Sequence, residues 1–340
     1  MGRLERIWYG GERVPWWLGA LEVLYRALLA LRRSLYSLGV FRSSRLPVPV
    51  VVVGNITAGG TGKTPLTIWL ARELGARGWH PGVVLRGYGG RERGPALVTP
   101  DTSAARAGDE AVLIARVTAL PVAIGSRRVE AGRLLVERHG CDVLIADDGL
   151  QHWALARDLE IAVVDAARRF GNGRQVPAGP LRETIERLER VDFVVINQAA
   201  GGDGDWRPPG AAPALAMRVA GEVALSLARP GESRPLKAFA GSRAHALAAI
   251  GNPERFFAML EANGIELVRH ALPDHSRLTR ADLYFDDELP VLVTEKDAVK
   301  LRDLEGVDAW VVPVSSELPP GFVDEVHQAL HARRAERGRP

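Results

Sequence analysis

Along the middle of the chain, apolar positions come in short unbroken runs separated by longer amphipathic stretches. The runs are 48–53 (VPVVVV), 82–86 (GVVLR), 121–125 (PVAIG), 142–146 (DVLIA), 160–165 (EIAVVD) and 192–197 (DFVVIN). Between them, about 63–78, 108–118, 127–139 and 183–190 show helical spacing. Val- and Ile-rich strands without alternation, separated by helices, predict a mostly parallel sheet covered on both faces. AAGGDGDWRPPGAAP at 199–213 interrupts the pattern with Gly and Pro and reads as a linker. Beyond it strands are expected near 214–219, 236–240, 265–270, 290–294 and 308–313. Helices are expected near 253–263, 279–284, 296–304 and 320–336, which predicts a second, smaller α/β domain.

Residues 15–40 follow another pattern. At about 100° per residue, Glu22, Arg26 and Arg33 share one face of a helix, with Arg32 at its edge. Trp17, Leu21, Leu24, Leu28, Leu31 and Leu35 crowd the other, Trp16, Tyr25 and Tyr36 add aromatic rings, and Arg42 and Arg45 follow. Such a helix suits a membrane surface, apolar face down and arginines toward anionic headgroups. The competing reading packs the same apolar face on the protein's own core; the paired Trp and the basic bias favour the surface. The expected organisation is an N-terminal amphipathic membrane-surface region at 1–45, a P-loop NTPase-like core at 46–200 and the smaller domain at 201–340. The C-terminal helix is free to return to the core, and the tail ARRAERGRP is expected to fray.

A chain of 340 residues is long for one core, which agrees with two domains. Hydrophobic residues at 46% and charged residues at 25% are ordinary for a folded protein, and a net charge of +3 is too small to argue for nucleic acid. Cys141 is the single cysteine, which excludes an intramolecular disulfide and a cysteine-cluster metal site; ahead of an apolar run it reads as structural. The N-terminus does not have the form of a cleavable secretory signal, and no segment offers the roughly eighteen uncharged apolar residues of a membrane span. The bulk of the chain is therefore expected in the cytosol.

The first candidate for chemistry is GNITAGGTGKTP at 54–65, between an apolar strand and an amphipathic helix. In a phosphate loop G-x-x-x-x-G-K-[ST], backbone N–H groups surround the phosphates, Lys reaches the β/γ oxygens and the hydroxyl meets Mg²⁺. Here the window runs Thr57, Ala58, Gly59, Gly60, Thr61, Gly62, Lys63, Thr64, with Thr57 where the first Gly normally stands. The second candidate, CDVLIADDG at 141–149, is an apolar strand ending in Asp147 and Asp148. If it lies beside the phosphate-loop strand, one of these carboxylates reaches the metal held by Thr64. The third is a possible base pair, Asp109 at the start of a helix and His275 in LPDHS, whose spacing does not show that they meet. TEKD at 294–297 puts Lys296 one place off the guanine-reading N/T-K-x-D pattern, so ATP is the expected nucleotide.

A longer set of segments resembles a known family: the phosphate loop with RGYGG (86–90), AGDEAVLIA (107–115), IADDGLQHWALARDLEI (145–161), VPAGPLRE (176–183), AIGNPERFF (249–257), LPDHSRLT (272–279) and VTEKDAVKL (293–301). In this order they are similar to the tetraacyldisaccharide 4′-kinases, the lipid A 4′-kinases of Gram-negative bacteria. The departures are local, Ala249 before Ile-Gly and Ser276 after the His. The resemblance implies an enzyme on the cytoplasmic face of the inner membrane, held peripherally, with a two-stranded linker between its domains. It implies transfer of the ATP γ-phosphate to the 4′-hydroxyl of tetraacyldisaccharide 1-phosphate, giving lipid IVA, with Mg²⁺ as cofactor and no obligate protein partner.

Carried over by position, the resemblance gives catalytic roles to Lys63, Asp109, Asp148 and His275 and the metal to Thr64 with Asp147 or Asp148. It also implies that Gln151, His152, Arg182 and Glu183 line the site. The alternative is a P-loop NTPase that drives a partner protein. A metallochaperone of that class would carry a Cys or His cluster, which one cysteine does not supply, and neither a cargo groove nor a dimer motif of a targeting factor is present. A membrane scaffold with a degenerate nucleotide site, prompted by Thr57, sits poorly with Lys63, Thr64, Asp147, Asp148 and His275 all in place.

Overall fold

The structure, a computed structural model, describes residues 3–198, 206–210, 212–301 and 307–337. Two short-linked helices come first, α1 (Arg3–Tyr9) and α2 (Trp16–Ser37). The next strands are β1 (Val50–Gly54), β2 (Pro81–Leu85), β3 (Ala96–Val98), β4 (Val122–Ile124), β5 (Val143–Asp147), β6 (Leu159–Asp165), β7 (Phe193–Gln198) and β8 (Ala214–Ala220). Among them run α3 (Lys63–Ala76), α4 (Ala104–Ala107), α5 (Asp109–Thr118) and α6 (Arg128–His139). A second set follows: β9 (Val223–Ser226), β10 (Ser233–Pro235), β11 (Arg243–Ala248), α7 (Pro253–Ala262), β12 (Glu266–Ala271), β13 (Val291–Thr294), α8 (Glu295–Leu301) and β14 (Trp310–Val312). The described chain ends with β15 (Ser315–Glu317) and α9 (Phe322–Arg337).

Among the described residues the strands form a nine-stranded sheet, β15-β8-β7-β6-β1-β5-β2-β4-β3, and a six-stranded sheet, β10-β9-β14-β13-β11-β12. The first is parallel from β8 to β4, with antiparallel strands only at its edges. β1 shows why the unbroken apolar runs occur. Val51 and Val53 pack on one face with Leu66, Leu70 and Leu74 of α3, while Val50 and Val52 pack on the other with Leu135 of α6. Successive side chains point to opposite faces, so a strand covered on both sides needs an apolar residue at every position. Each fully buried Val adds about 1.5–3 kcal/mol, which makes this central strand a large part of the core's stability.

α9 returns to the first sheet, where Phe322, Val323, Val326 and Leu330 join the face covered by α3 and the Phe322 ring stacks on Trp69 at 5.9 Å. The strand read near 214–219 belongs to the first sheet and not to the second unit, because β8 pairs in parallel with β7. Of the linker stretch at 199–213, residues 199–205 and 211 lie outside the described residues, as do 302–304 of the helix read at 296–304 and 338–340 of the tail.

Other expectations are corrected. The strand read at 236–240 is a 3₁₀ helix, Leu236–Phe239, whose buried Leu236 and Phe239 are three apart and follow a helical spacing. The strand is instead the alanine-rich β11, held between β12 and β13 although its composition disfavours a strand. The helices read at 183–190 and 279–284 are 3₁₀ turns, Ile185–Arg190 and Arg280–Leu283.

α2 packs through the stripe that contains its acid. Leu18 and Glu22 are buried, Glu22 accepting Arg174 Nε at 2.7 Å and the Gln175 N–H at 2.9 Å. The apolar face is turned outward, with Trp16 85%, Leu24 55%, Leu28 56% and Leu31 56% exposed. Packing of that apolar face on the protein's own core is therefore excluded. No helix among the described residues is long and apolar enough to cross a membrane.

Candidate active site

β1 runs into residues 55–62, which turn over the end of the sheet before α3 begins. Gly62 precedes α3 at φ +96°, and a Cβ there would collide with Asn197. Gly54 is equally restricted, since a Cβ would lie 2.6 Å from Leu150 Cγ. Asn55 Nδ2 donates to Thr61 Oγ1 at 3.1 Å, and Asn197 Nδ2 donates to the Thr61 carbonyl at 2.9 Å. The segment VPAGPLRE runs alongside, taking the Ala58 N–H on the Pro180 carbonyl and giving the Arg182 N–H to the Ile56 carbonyl, both at 2.7 Å.

The stretch from Ala58 to Thr64 lines a cavity of about 980 Å³, with Lys63 and Thr64 opening α3 on its wall. Thr57 does not line it. That residue is buried and bridged to Leu181, where it backs the loop instead of facing a ligand.

β5 pairs in parallel with β1 and sets Asp147 beside Val53, which satisfies the adjacency the second motif requires. Buried Asp147 accepts Thr67 Oγ1 at 3.2 Å and the Asp148 N–H at 3.0 Å, both on Oδ1. Burial and the charge of Glu110 push its carboxyl above the ordinary value, against the pull of Lys63. Asp148 follows at φ +49°, a left-handed conformation that Asp tolerates better than most residues. Its Oδ1 lies 3.5 Å from Lys63 Nζ, and its two oxygens accept Arg182 Nη1 at 2.9 and 3.0 Å. Desolvation works to raise this carboxyl, but Lys63 and Arg182 outweigh it and hold it well below the usual carboxylate range.

Among the described residues no three His, Cys, Asp or Glu side chains converge to hold a metal by themselves. Hard oxygen donors are nonetheless present in the right number for a hydrated divalent ion on nucleotide phosphates, the Thr64 hydroxyl and a buried Asp147 whose Oδ2 takes no hydrogen bond among the described residues.

Gln151, His152 and Arg182 line the cavity. Glu183 does not: it is buried behind Gln151, whose Nε2 donates to Glu183 Oε1 at 2.7 Å and to the Asn55 carbonyl at 3.0 Å. Its position makes it a brace for Gln151 and the phosphate loop. Burial, with Arg128 and Arg157 nearby, lowers His152 to about 4, so its imidazole is neutral, and its buried Nε2 has no partner among the described residues. α2 closes this side of the cavity. Tyr25 Oη donates to the Arg182 carbonyl at 2.8 Å and Arg32 Nη2 to the Gln151 carbonyl at 3.3 Å, with the Arg32 guanidinium 5.2 Å from the Trp153 ring.

Across the cavity, the structure brings Asp109 and His275 together although they are 166 positions apart. His275 Nδ1 lies 3.1 and 3.0 Å from the two Asp109 oxygens, and Asp109 sits behind the imidazole, 6% exposed. His275 reaches the wall in a left-handed conformation, φ +59°, with the Tyr88 ring 4.8 Å from its own. Burial alone would raise the Asp109 carboxyl, but the hydrogen bond from His275 and the charges of Lys296 and Lys300 outweigh it and hold it at about 2. The same bond raises His275, while burial and Lys296 oppose the rise.

Several residues that the sequence reading passed over complete the site. Arg128 donates to the Asp148 carbonyl at 2.9 Å. Arg255 of α7 reaches the first sheet, with Nη2 2.8 Å from Asp165 Oδ2 and 3.0 Å from the Asn197 carbonyl, and with Nη1 on Asn197 Oδ1. A Cβ on Gly60 of the phosphate loop would lie 3.1 Å from the Asn252 nitrogen and 3.2 Å from the Gly251 carbonyl carbon, so the segment just ahead of α7 packs closely against it. One signal was available: Asp165 and Asn197 stand near the carboxyl ends of parallel strands, where open α/β sheets place their ligands.

Comparison with known proteins places the chain in one family. Residues 14–331 match the family described as LpxK: Tetraacyldisaccharide-1-P 4′-kinase. The chain is 50% identical over 325 residues to a tetraacyldisaccharide 4′-kinase of Stenotrophomonas maltophilia, covering 93% of each chain. It is 46% identical to one of Azoarcus, covering 94% of this chain and 92% of that one. A crystal structure of LpxK from Aquifex aeolicus in complex with ATP superposes with a TM-score of 0.74 at 27% identity, over 93% of this chain and 98% of that one.

Proposed function

The chain belongs to the tetraacyldisaccharide-1-P 4′-kinase family, and on that premise we propose how its own residues carry the phosphoryl transfer. It is an ATP-dependent lipid A 4′-kinase, moving the γ-phosphate of ATP to the 4′-hydroxyl of a tetraacyldisaccharide 1-phosphate, with lipid IVA as the product. One observation carries the residue assignment: the His275–Asp109 pair and the phosphate loop face each other across a single cavity. A hydrolase also needs a group to orient its water, so it is the family membership that disfavours the partner-driving NTPase.

The loop from Gly59 to Thr64 holds the ATP phosphates with its backbone N–H groups, the Ala58 N–H being taken by the Pro180 carbonyl, and Lys63 reaches the transferring oxygens from beside Asp148. Asp148, paired to Lys63 and Arg182, keeps these two cations at the reacting phosphate. Thr64 and Asp147 would hold Mg²⁺, which supplies charge neutralisation on the phosphate oxygens when bound. Asp109 accepts the His275 Nδ1–H and leaves Nε2 free to take the proton of the 4′-hydroxyl. As that oxygen bonds to the γ-phosphorus, the bond to the ADP oxygen breaks. Gln151, His152 and Arg182 lie between the phosphate loop and α2 and would position the sugar.

The acceptor carries acyl chains, and α2 supports a route for it. Its outward face is apolar, Tyr25 and Arg32 touch the cavity, and Arg26 and Arg33 are exposed. In this reading α2 lies in the headgroup region of the inner membrane's cytoplasmic face and brings the cavity mouth to the lipid.

The test is incubation with γ-labelled ATP, Mg²⁺ and detergent-dispersed tetraacyldisaccharide 1-phosphate, alongside Lys63→Ala and His275→Ala. Label is expected in the lipid, reduced about 10²- to 10⁴-fold without the base. Label released only as inorganic phosphate, indifferent to lipid, would sink the assignment.

A further inference from the structure

VTEKDAVKL, spanning the end of β13 and α8, has no role in the scheme above. Its geometry is a closed lock. Thr294 Oγ1 donates to Asp297 Oδ2 at 2.7 Å, and the Asp297 N–H donates to Thr294 Oγ1 at 3.1 Å. Asp297, fully buried, accepts the Ala249 N–H at 3.0 Å and pairs with Lys300 Nζ at 2.9 Å, which also donates to the Ala249 carbonyl at 3.1 Å. The start of α8 is thereby tied to the end of β11. Lys296 and Lys300, one turn apart, then reach the same target on α5 of the first sheet. Lys300 Nζ lies 3.6 Å and Lys296 Nζ 4.0 Å from Asp109 Oδ2; Lys296 also pairs with Glu110 at 3.0 Å and Asp274 at 3.3 Å.

From this arrangement we infer that Lys296 and Lys300 are positioning residues of the 4′-kinase reaction, which fix the Asp109 carboxylate and keep its partner His275 neutral and ready to accept a proton. A carboxylate alone on Nδ1 would favour the imidazolium, which cannot act as a base. Two ammonium groups on the far side of that carboxylate offset its charge while leaving the hydrogen bond to orient the ring. The groups facing His275 are few: Asp109 from α5, Asp274 from its own loop with Oδ2 3.6 Å from Nε2, the Tyr88 ring, and Lys296 from α8. Glu110 and Lys300 act at one remove, Glu110 on Lys296 and Lys300 on Asp109. The opposing effects of Asp109 and Lys296 on the imidazole agree with this division of labour.

The inference rests on His275 as the base, and the experiment separates the two. kcat/KM is measured against pH for the parent, Lys296→Gln, Lys300→Met, Lys300→Arg and His275→Gln, with KM for ATP followed in each. Removing one ammonium is expected to move the acid limb about 1 pH unit higher, with rates converging on the alkaline side. Lys300→Arg should move the limb back toward the parent. Lys296 lies on the cavity wall outside the Asp297 lock, so Lys296→Gln decides the matter even if Lys300→Met fails to fold. An unmoved limb in Lys296→Gln, or an equal fall in rate at every pH, overturns the inference while leaving the dyad intact. A His275→Gln enzyme with the parent's rate and acid limb overturns both.

Discussion

Arg255→Met tests whether the second unit supports the phosphate loop. The Arg255 guanidinium is 18% exposed and its partner Asp165 2%, so the pair is nearly free of solvent screening. Methionine keeps the length and apolar stem of the side chain and removes all four polar contacts, to Asp165, the Asn197 side chain and carbonyl, and the Gln198 carbonyl. Breaking a buried ion pair from one side costs about 3–5 kcal/mol, because the remaining charge is stranded. Asp165 would keep Asn252 Nδ2 at 3.1 Å and the N–H groups of Ala167 and Arg168 at 3.0 and 2.9 Å. These survivors place the cost at the low end, about 3 kcal/mol.

With an unfolding entropy of about 2.1 cal/mol/K per residue, a chain of 340 residues loses about 1.4 °C per kcal/mol, so the melting temperature should fall by roughly 4 °C. A second effect should accompany it. Asn197 loses the donor that orients its amide, and that amide holds the Thr61 carbonyl at 2.9 Å, so KM for ATP should rise several-fold. Adding Asp165→Asn removes the stranded charge and should recover part of the lost stability. The two readouts are thermal melting followed by circular dichroism and initial rates against ATP concentration. A melt within about 1 °C of the parent and an unchanged KM would refute the coupling of α7 to the phosphate loop.

Two further predictions concern the helix surface and the buried imidazole. Replacing Trp16, Leu24 and Leu28 together by Ser removes apolar area that is 85, 55 and 56% exposed. Co-sedimentation with anionic phospholipid vesicles should be lost while the melting temperature in detergent stays within a few degrees; retained sedimentation would count against α2 as the membrane contact. His152 is held down to about 4 in the folded protein against an ordinary 6.5. The unfolded chain therefore takes up a proton that the native state refuses as pH falls from 6.5 to 4, and stability declines across that window. Urea titrations of His152→Gln should show a shallower decline over the same range, and an identical slope would count against this assignment.

The active site was legible in part, and the parts differ for a physical reason. The phosphate loop is contiguous: strand, glycines, Lys63, Thr64 and helix all follow one another, so their geometry is set locally. Asp147 needed one non-local fact, the pairing of β5 with β1, and an all-apolar strand made that pairing the natural expectation. Asp109 and His275 could be named as a possible base pair, but no local pattern shows that two residues from different units meet; that came from the family resemblance and then from the structure. Glu183 was placed on the wall by the resemblance and Thr57 in the loop by the phosphate-loop spacing; the structure buries both side chains, because position in a motif does not tell which face of a loop a side chain takes. Lys296 was read only for what it failed to be, a guanine reader; its contacts with Asp109, Glu110 and Asp274 come from α5 and from the loop ahead of β13.

By itself the sequence determined the alternation of apolar runs and helices, the phosphate-loop turn and the amphipathy of residues 15–40, because each follows from spacing along one segment. Tertiary structure decided which sheet each strand joins, sending β8 and β15 to the first and making a strand of alanine-rich β11. It also decided which side of α2 meets the protein. Periodicity marks an apolar face, but only the available partners settle where it goes, and here Arg174 and the Gln175 N–H receive Glu22 and leave the leucines outside.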